Sequence, residues 1–377
     1  MSKFSLYIHI PFCEKKCYYC DFVSFPGKEQ VSLYMDNIIK ELALYKDRLS
    51  SYEIDTIFIG GGTPTSIEPE YIASIMDYIY QNYKTNHIQE ITIEANPGTI
   101  DQMKAYIYKQ IGINRISMGL QSLNNNLLKS IGRIHSSEEF ISSYKLLRST
   151  GFDNINIDLM LGLPCQTIDD LINSIDGVIN LGANHISLYS LIIEDNTILN
   201  KWYKKGLLEL PSEDMDREMY HKAVELLENK GYKQYEISNF AKPAYECKHN
   251  LIYWKVKPYL GLGLSSHSNL FNKRFWNTSN LKFYNDILAK GKSPIEGEEI
   301  IPKDVELVEY LILGLRLNDG IIKEEFKSRF NIELDNIYRK VIDKHVKGGL
   351  LYEDEKSIKL TKMGRDLSNM VELDFMP

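Results

Sequence analysis

The chain has 377 residues and a formal net charge of −7, from 44 Lys and Arg against 51 Asp and Glu, and 44% of its residues are hydrophobic. The acidic balance argues against a nucleic-acid-binding role, which needs a concentrated basic face, and no apolar run approaches the ~20 residues of a membrane-spanning helix. The length fits two domains, or one large α/β barrel with an appendage.

The first two-thirds of the chain alternates short apolar segments with longer segments of helical periodicity. The strand candidates are rich in β-branched or aromatic residues and are bounded by Gly, Asn, Asp or Pro: Phe4–Ile10, Thr56–Ile59, Glu90–Glu94, Arg115–Met118, Asn154–Leu159 and His185–Leu191. The helix candidates are Val31–Tyr45, Pro69–Tyr80, Asp101–Ile111, Ser137–Ser149 and Ile168–Leu181. This alternation predicts parallel strands in a partial or full (β/α) barrel, with the chemistry at the carboxyl ends of the strands.

Three cysteines follow the first predicted strand with the spacing C-x₃-C-x₂-C, at Cys13, Cys17 and Cys20. Three thiolates on one short loop suit a compact metal centre, but they leave it one ligand short of a closed site. The odd total of five cysteines favours metal or redox use in a reducing compartment over disulfides. Because no signal-peptide core follows Met1, we expect a cytoplasmic protein. A zinc site with His9 as the fourth ligand stays open at this point.

Polar or glycine-rich segments stand at the ends of the next strands. The second strand leads into the glycine run Gly60–Thr63, whose backbone amides can approach a polar ligand closely. The following strand ends carry Glu94, Gln121 and Asp158. Because the carboxyl ends of parallel strands meet at one rim, we expect these groups to face a common ligand.

After Pro294 the strand–helix alternation stops and charge density rises. The predicted elements there are the helices Lys303–Leu317, Lys323–Phe330 and Asn336–Lys347 and a hairpin formed by Gly348–Glu353 and Ser357–Leu360. Helix–helix–hairpin is a winged-helix pattern, and its mixed charge favours a lid or a partner-docking role over DNA binding. We therefore predict a core barrel at residues 1–235, a linking segment at 236–295 and a winged-helix-like domain at 296–377.

Taken together, these residues resemble the radical S-adenosylmethionine (SAM) superfamily, in its coproporphyrinogen-dehydrogenase branch, over most of the chain. The resemblance implies a partial TIM-like barrel in which Cys13, Cys17 and Cys20 hold a [4Fe-4S] cluster whose open iron binds SAM. It also implies a set of SAM-contacting residues: Tyr7, Gly61, Gly62, Thr63, Glu94, Gln121, Arg133 and Asp158. The chemistry agrees with these roles. Glu94 can pair with the SAM ammonium group, Gln121 or Asp158 can hydrogen-bond to ribose hydroxyls, and Arg133 can pair with a carboxylate.

Two features of the sequence distinguish a coproporphyrinogen dehydrogenase from a heme chaperone within that branch. Oxygen-independent coproporphyrinogen dehydrogenases carry a further cysteine two residues after the third, where this chain has Phe22, and an N-terminal extension, where it has only twelve residues before Cys13. Residues 249–254 match H-N-x-x-Y-W, a signature of the heme-chaperone (HemW) group. The resemblance therefore implies a heme chaperone, and radical decarboxylation of coproporphyrinogen III stays the alternative.

The H-N-x-x-Y-W segment implies heme as a further ligand, with His249, Asn250, Tyr253 and Trp254 as the candidate contacts. An imidazole can ligate heme iron, and the two aromatic rings offer flat apolar faces. From the residues alone, a hydrogen-bonded structural role for His249 is the more common one, and the resemblance reverses that preference. The implied partners are heme and an unidentified acceptor protein, with a membrane-associated respiratory enzyme as one class, and a homodimer is left open.

The two remaining cysteines lie outside the cluster loop. Cys247 precedes the H-N-x-x-Y-W segment and is an alternative heme ligand. Cys165 has no partner in the sequence, and we expect it to be a buried apolar thiol.

Overall fold

The computed structural model describes residues 2–376. Its strands, in chain order, are β1 (Lys3–Ile10), β2 (Phe12–Cys13), β3 (Phe25–Pro26), β4 (Glu53–Gly61), β5 (Glu90–Ala95), β6 (Arg115–Gln121), β7 (Asn154–Leu161), β8 (His185–Ser190), β9 (Lys233–Glu236), β10 (Asn239–Ala241), β11 (Tyr259–Leu262), β12 (His267–Leu270), β13 (Lys273–Asn277), β14 (Ile295–Ile300), β15 (Ile321–Ile322), β16 (Leu351–Glu353) and β17 (Ser357–Leu360). Its helices are α1 (Val31–Tyr45), α2 (Pro69–Asn82), α3 (Gln102–Gln110), α4 (Asn125–Ser130), α5 (Ser137–Ser149), α6 (Ile168–Asn180), α7 (Ile198–Tyr203), α8 (Glu213–Asn229), α9 (Lys248–Trp254), α10 (Leu281–Ala289), α11 (Lys303–Leu315), α12 (Lys323–Phe330), α13 (Leu334–Lys347), α14 (Lys362–Asp366) and α15 (Ser368–Asp374).

One twelve-stranded sheet forms the body of the molecule, in the order β14-β13-β12-β11-β1-β4-β5-β6-β7-β8-β10-β9. Seven adjacent strands, from β11 through β1 to β8, are parallel, and antiparallel pairs extend the sheet at both ends. Because β14 and β9 are separate edges, the sheet is a partial barrel, which confirms the predicted fold class. The six strands predicted from the sequence are the parallel strands β1 and β4 to β8.

The crossover helices begin at caps that the sequence supplies. Ser136 accepts a hydrogen bond from the backbone amide of Glu139, whose carboxylate accepts one from the amide of Ser136, so a capping box begins α5. Thr167 and Asp170 form the same arrangement at α6. Helices started in this way pack their apolar faces on the sheet and leave the carboxyl ends of the strands at one rim.

The carboxyl-terminal part has its own core. Helices α11 to α13 pack with the small sheet β15-β17-β16 around a cluster that includes Leu311, Phe326, Ile342 and Ile358. This is the helix–helix–hairpin arrangement predicted from the sequence. Residues 236–295, predicted as a linking segment, contribute β11 to the main sheet, where it pairs in parallel with β1. The domain bounds at 235 and 295 stay predictions.

Among residues 2–376, no helix combines the length and the apolar character that crossing a bilayer would require.

Candidate functional site

The three cysteines of the loop line one cavity at the carboxyl-terminal rim of the barrel, which we call the thiol cavity. It has a volume of about 140 Å³. Cys13 ends β2, and all three thiols are half-buried. Seven of the eight predicted SAM residues line the same cavity: Gly61, Gly62, Thr63, Glu94, Gln121, Arg133 and Asp158. Tyr7 lines a neighbouring cavity instead.

The glycine run at the end of β4 packs directly on the cysteine loop. Gly61 has a φ of 114°, and a Cβ built there would lie 2.6 Å from the ring of His9. A Cβ on Gly62 would lie 2.7 Å from the carbonyl oxygen of Phe12 and 3.0 Å from Sγ of Cys13. Both positions therefore require glycine. The glycine run lets the backbone at the end of β4 lie directly against the cysteine loop.

A chain of hydrogen bonds orients two of the three thiols. Nη1 of Arg133 donates to Sγ of Cys17 at 3.5 Å, and its Nη2 donates to Oδ1 of Asn96 at 2.9 Å. Nδ2 of Asn96 donates to Oγ1 of Thr63 at 2.8 Å, and that hydroxyl donates to Sγ of Cys13 at 3.6 Å. The guanidinium places a positive charge beside the thiols, where it would stabilise thiolate ligands. Sequence reasoning missed Asn96, although its place two residues after Glu94 at a strand end was a usable signal.

Two acids, Glu94 and Asp158, face this cavity. Burial raises the pKa of Glu94 to about 8, with the charge of Asp158 adding to the effect and the Gly61 amide, 3.0 Å from Oε2, opposing it. Burial also raises the pKa of Asp158, although Asn156 donates a hydrogen bond to it at 2.7 Å. Within residues 2–376 neither carboxylate forms a salt bridge, so a cationic ligand would relieve the cost of ionising both.

His9 does not provide the fourth ligand that a zinc site would need. Nδ1 of His9 lies 3.0 Å from Oη of Tyr7, and Nε2 lies 2.8 Å from the carbonyl oxygen of Val23, so both ring nitrogens have partners. Among residues 2–376, no three His, Cys, Asp or Glu side chains are arranged to hold a single metal ion. Three soft thiols spread around a cavity with space beside them fit an iron–sulfur cluster better than a mononuclear zinc site.

The other two cysteines stand apart from this cavity. Cys165 is exposed, with a φ of 61° and its Sγ 3.9 Å from Oε2 of Glu209, so the prediction of a buried thiol is wrong. The turn that follows β7 turns its side chain outward, which the isolated sequence did not indicate. Cys247 is buried, with Sγ 3.4 Å from Oε1 of Glu90, and burial raises the pKa of its thiol to about 12.

The H-N-x-x-Y-W segment forms α9, beneath the opposite end of the barrel strands. The Glu90 carboxylate, at the start of β5, accepts hydrogen bonds from the backbone amides of Lys248 and His249, both at 3.0 Å, and so caps the helix. The His249 side chain is fully buried, with Nδ1 2.7 Å from Oγ1 of Thr56 and Nε2 3.0 Å from Oη of Tyr253. Burial lowers the pKa of His249 to about 3, so the ring is neutral. Ligation of heme by His249 would require one of these hydrogen bonds to break.

The other members of the segment point in different directions. Tyr253 lines the cavity that also contains Tyr7. Trp254 packs against the guanidinium of Arg316, whose Cζ lies 4.7 Å from the ring centroid, and it lines a cleft of about 680 Å³ against the carboxyl-terminal part. Asn250 is half-buried and lines neither space. The four heme candidates therefore do not face one common cavity.

The Radical SAM superfamily model matches residues 7–177, and the HemN C-terminal domain model matches residues 301–367. The heme chaperone HemW of Bacillus subtilis (strain 168) is 37% identical over 369 residues, which are 97% of this chain and 97% of that protein. The chain belongs to the heme chaperone HemW family. HemW of Escherichia coli (strain K12) is 32% identical over 98% of this chain and 97% of its own length.

The solved structure of coproporphyrinogen III oxidase (HemN) from Escherichia coli, a radical SAM enzyme, shows the same fold. The TM-score is 0.85, with 99% of this chain and 90% of that one covered at 23% sequence identity. The resemblance to the radical SAM superfamily and to the HemW group, drawn from the sequence, is confirmed.

Proposed function

We propose that this protein is a heme chaperone, which binds heme and transfers it to an acceptor protein and which also carries a [4Fe-4S] cluster and SAM. The observation that carries the proposal is the 37% identity with a heme chaperone over 97% of both chains. The thiol cavity supports the cofactor part, because three thiols and seven predicted SAM residues line one space. When bound, the cluster and SAM would supply one-electron chemistry.

In this proposal Cys13, Cys17 and Cys20 hold the cluster, and the chain's other groups orient it. Thr63 donates to Cys13 and Arg133 donates to Cys17, so each of these thiols has a donor that stabilises its anionic form. Burial raises the pKa of the Cys13 and Cys20 thiols, so coordination to the cluster iron would favour their deprotonated form.

The remaining residues of the cavity bind SAM. Glu94 and Asp158 give an anionic wall for the ammonium and sulfonium groups, and Gln121 offers its amide to the ribose hydroxyls. Arg133 already donates to Cys17 and Asn96, so we assign it to the cluster ligands as well as to the SAM carboxylate. Tyr7 acts from the neighbouring cavity, where its hydroxyl fixes the ring of His9.

The H-N-x-x-Y-W segment shapes the heme site in this proposal. Tyr253 contributes its ring to the cavity beside the thiol cavity, and His249 positions Tyr253 through their 3.0 Å hydrogen bond. Trp254 fixes α9 against the carboxyl-terminal part, where its ring stacks on the guanidinium of Arg316. The acceptor in this proposal is a membrane-associated respiratory enzyme. The working unit is a homodimer that acts in the cytoplasm, where its three free thiols stay reduced.

Anaerobic reconstitution followed by heme titration tests the proposal. The expected result is iron with acid-labile sulfide, saturable heme binding, and passage of that heme to a heme-depleted respiratory enzyme with recovery of its activity. Light scattering and co-purification report the dimer and the acceptor. Decarboxylation of coproporphyrinogen III by the same preparation, with only nonspecific heme uptake, would instead support the dehydrogenase alternative. Zinc without sulfide would contradict both.

A further inference from the structure

A second cavity lies beside the thiol cavity, and we call it the His267 cavity. Its volume is about 500 Å³, within the range of cofactor sites. It shares Phe22, Gly61 and Glu94 with the thiol cavity, so the two spaces adjoin along one wall. Its other walls include the rings of Tyr7, Tyr253 and Tyr259 and the imidazoles of His9 and His267.

The aromatic walls of this cavity suit a flat apolar ligand. Phe22, on the cysteine loop, is 60% exposed, so its ring is available to a ligand in the cavity. Across the cavity, the rings of Tyr253 and Tyr259 meet edge to face, with centroids 4.8 Å apart. A porphyrin placed among these rings would remove Phe22 from water.

Two imidazoles line the cavity, and they differ in what they can bind. Both ring nitrogens of His9 have hydrogen-bond partners. His267, the first residue of β12, is exposed, and its ring stacks on Trp276 with centroids 5.9 Å apart. Within residues 2–376, neither ring nitrogen of His267 has a hydrogen-bond partner. Stacking on Trp276 orients this imidazole, and a ring nitrogen without a hydrogen-bond partner can coordinate a metal ion in the cavity.

We propose, on the basis of the proposed function, that heme binds in the His267 cavity and that His267 is an axial ligand of its iron. Partial burial of the ring and the charge of Arg274 lower the pKa of His267, so the neutral ring that ligates iron is present at neutral pH. Burial keeps the Tyr253 and Tyr259 phenols protonated by raising their pKa, which disfavours ligation by tyrosinate.

The wall that the His267 cavity shares with the thiol cavity connects heme binding to SAM and the cluster. Glu94, assigned to SAM, and Phe22, on the cluster loop, each face both spaces. Binding of SAM or of the cluster therefore changes the surface against which heme packs. We expect added SAM to alter the heme absorbance spectrum of the reconstituted protein, and to do so less in the Phe22→Ala variant.

Heme titration of matched variants tests the assignment. His267→Ala should bind heme at least ~10-fold more weakly, since losing even an outer-shell partner of a metal ligand costs 10–100-fold. Its heme should lose the spectral signature of an axial imidazole, and added imidazole should restore that signature. His87→Ala is the control, because its side chain is 73% exposed and it lines neither cavity. Iron and sulfide content reports whether each variant is folded.

The outcomes separate the two proposals. Absence of saturable heme binding by the wild-type protein would contradict the proposed function itself. Wild-type binding with an unchanged affinity and spectrum in His267→Ala would overturn only the assignment of His267. If His267→Ala loses its cluster as well, His267→Met decides: a shift to a thioether-ligated spectrum supports the assignment, and an unchanged imidazole spectrum overturns it.

Discussion

Arg133 lies against Cys17, with Nη1 3.5 Å from Sγ, and links it through Asn96 and Thr63 to Cys13. One guanidinium thus orients two of the three cluster thiols, although it stands 116 residues from Cys17 in the chain. These hydrogen bonds hold the side chains of Cys13 and Cys17 toward the same cavity.

Removal of this guanidinium should weaken cluster binding without unfolding the barrel. Hydrogen bonds to charged groups contribute about 1.5–3 kcal/mol, so Arg133→Lys should shorten the half-life of the reconstituted cluster roughly tenfold or more. The measurement is the decay of visible absorbance under a chelator. Arg148→Ala, on the outside of α5, is the control, and equal decay in the wild type and Arg133→Lys would contradict the orienting role.

The close approach of Gly62 to the loop gives a second prediction. Gly62→Ala places a Cβ 2.7 Å from the Phe12 carbonyl oxygen and 3.0 Å from Cys13 Sγ, so the loop must shift. We expect less than half of the wild-type iron per chain after reconstitution. Gly348→Ala is the matched control, because the nearest atom to a Cβ there is 3.4 Å away. Full iron loading of Gly62→Ala would show that the loop tolerates the shift.

Glu94 should make SAM binding depend on pH. Its carboxyl group has a pKa raised to about 8, so it is protonated below that pH and can pair with the SAM ammonium only when ionised. The Kd for SAM should therefore fall as pH rises from about 6 to 8, by up to tenfold per unit. In Glu94→Gln this dependence should disappear and binding should be weak throughout. A Kd independent of pH in the wild-type protein would contradict the assignment.

The same group shapes the stability of the ligand-free protein. A folded pKa raised above the unfolded value means that the native state binds more protons than the unfolded chain between about pH 4.5 and 8. The free energy of unfolding should therefore decline as pH rises across this window. Urea denaturation at pH 5.5 and 7.5 measures it, and Glu94→Gln should show a smaller decline. An equal decline of the free energy of unfolding in both proteins would show that another group causes the pH dependence.

His249 should behave as a structural residue. Its fully buried ring holds Thr56 and Tyr253, so His249→Ala should lower the free energy of unfolding by about 2 kcal/mol or more. Bound heme should keep the spectral signature of an axial imidazole. Loss of that signature together with unchanged stability would make His249 the ligand.

Much of the frame was predictable because its signals are local. Runs of β-branched residues ended by Gly or Asn marked the parallel strands, and the bounds predicted for α1 and α5 match the structure. Because the carboxyl ends of parallel strands share a rim, Glu94 and Asp158 could be predicted to lie together, and both line the thiol cavity. These inferences needed only spacing along the chain.

Other features depend on contacts distant in sequence. Glu90 caps α9 across 159 positions, and nothing near His249 indicates that its ring would be buried under the barrel. The free imidazole of His267 depends on the return of β12 beside β11, where a strand predicted as part of a linker joins the main sheet. Local patterns do not encode such contacts.

Heme transfer is measured by adding the reconstituted protein to a heme-depleted respiratory enzyme and following the recovery of that enzyme's activity. We expect recovery that saturates with added protein and that falls when His267 is replaced by Ala. Recovery no faster than from free heme, despite a full cluster, would contradict a heme-chaperone function for this protein.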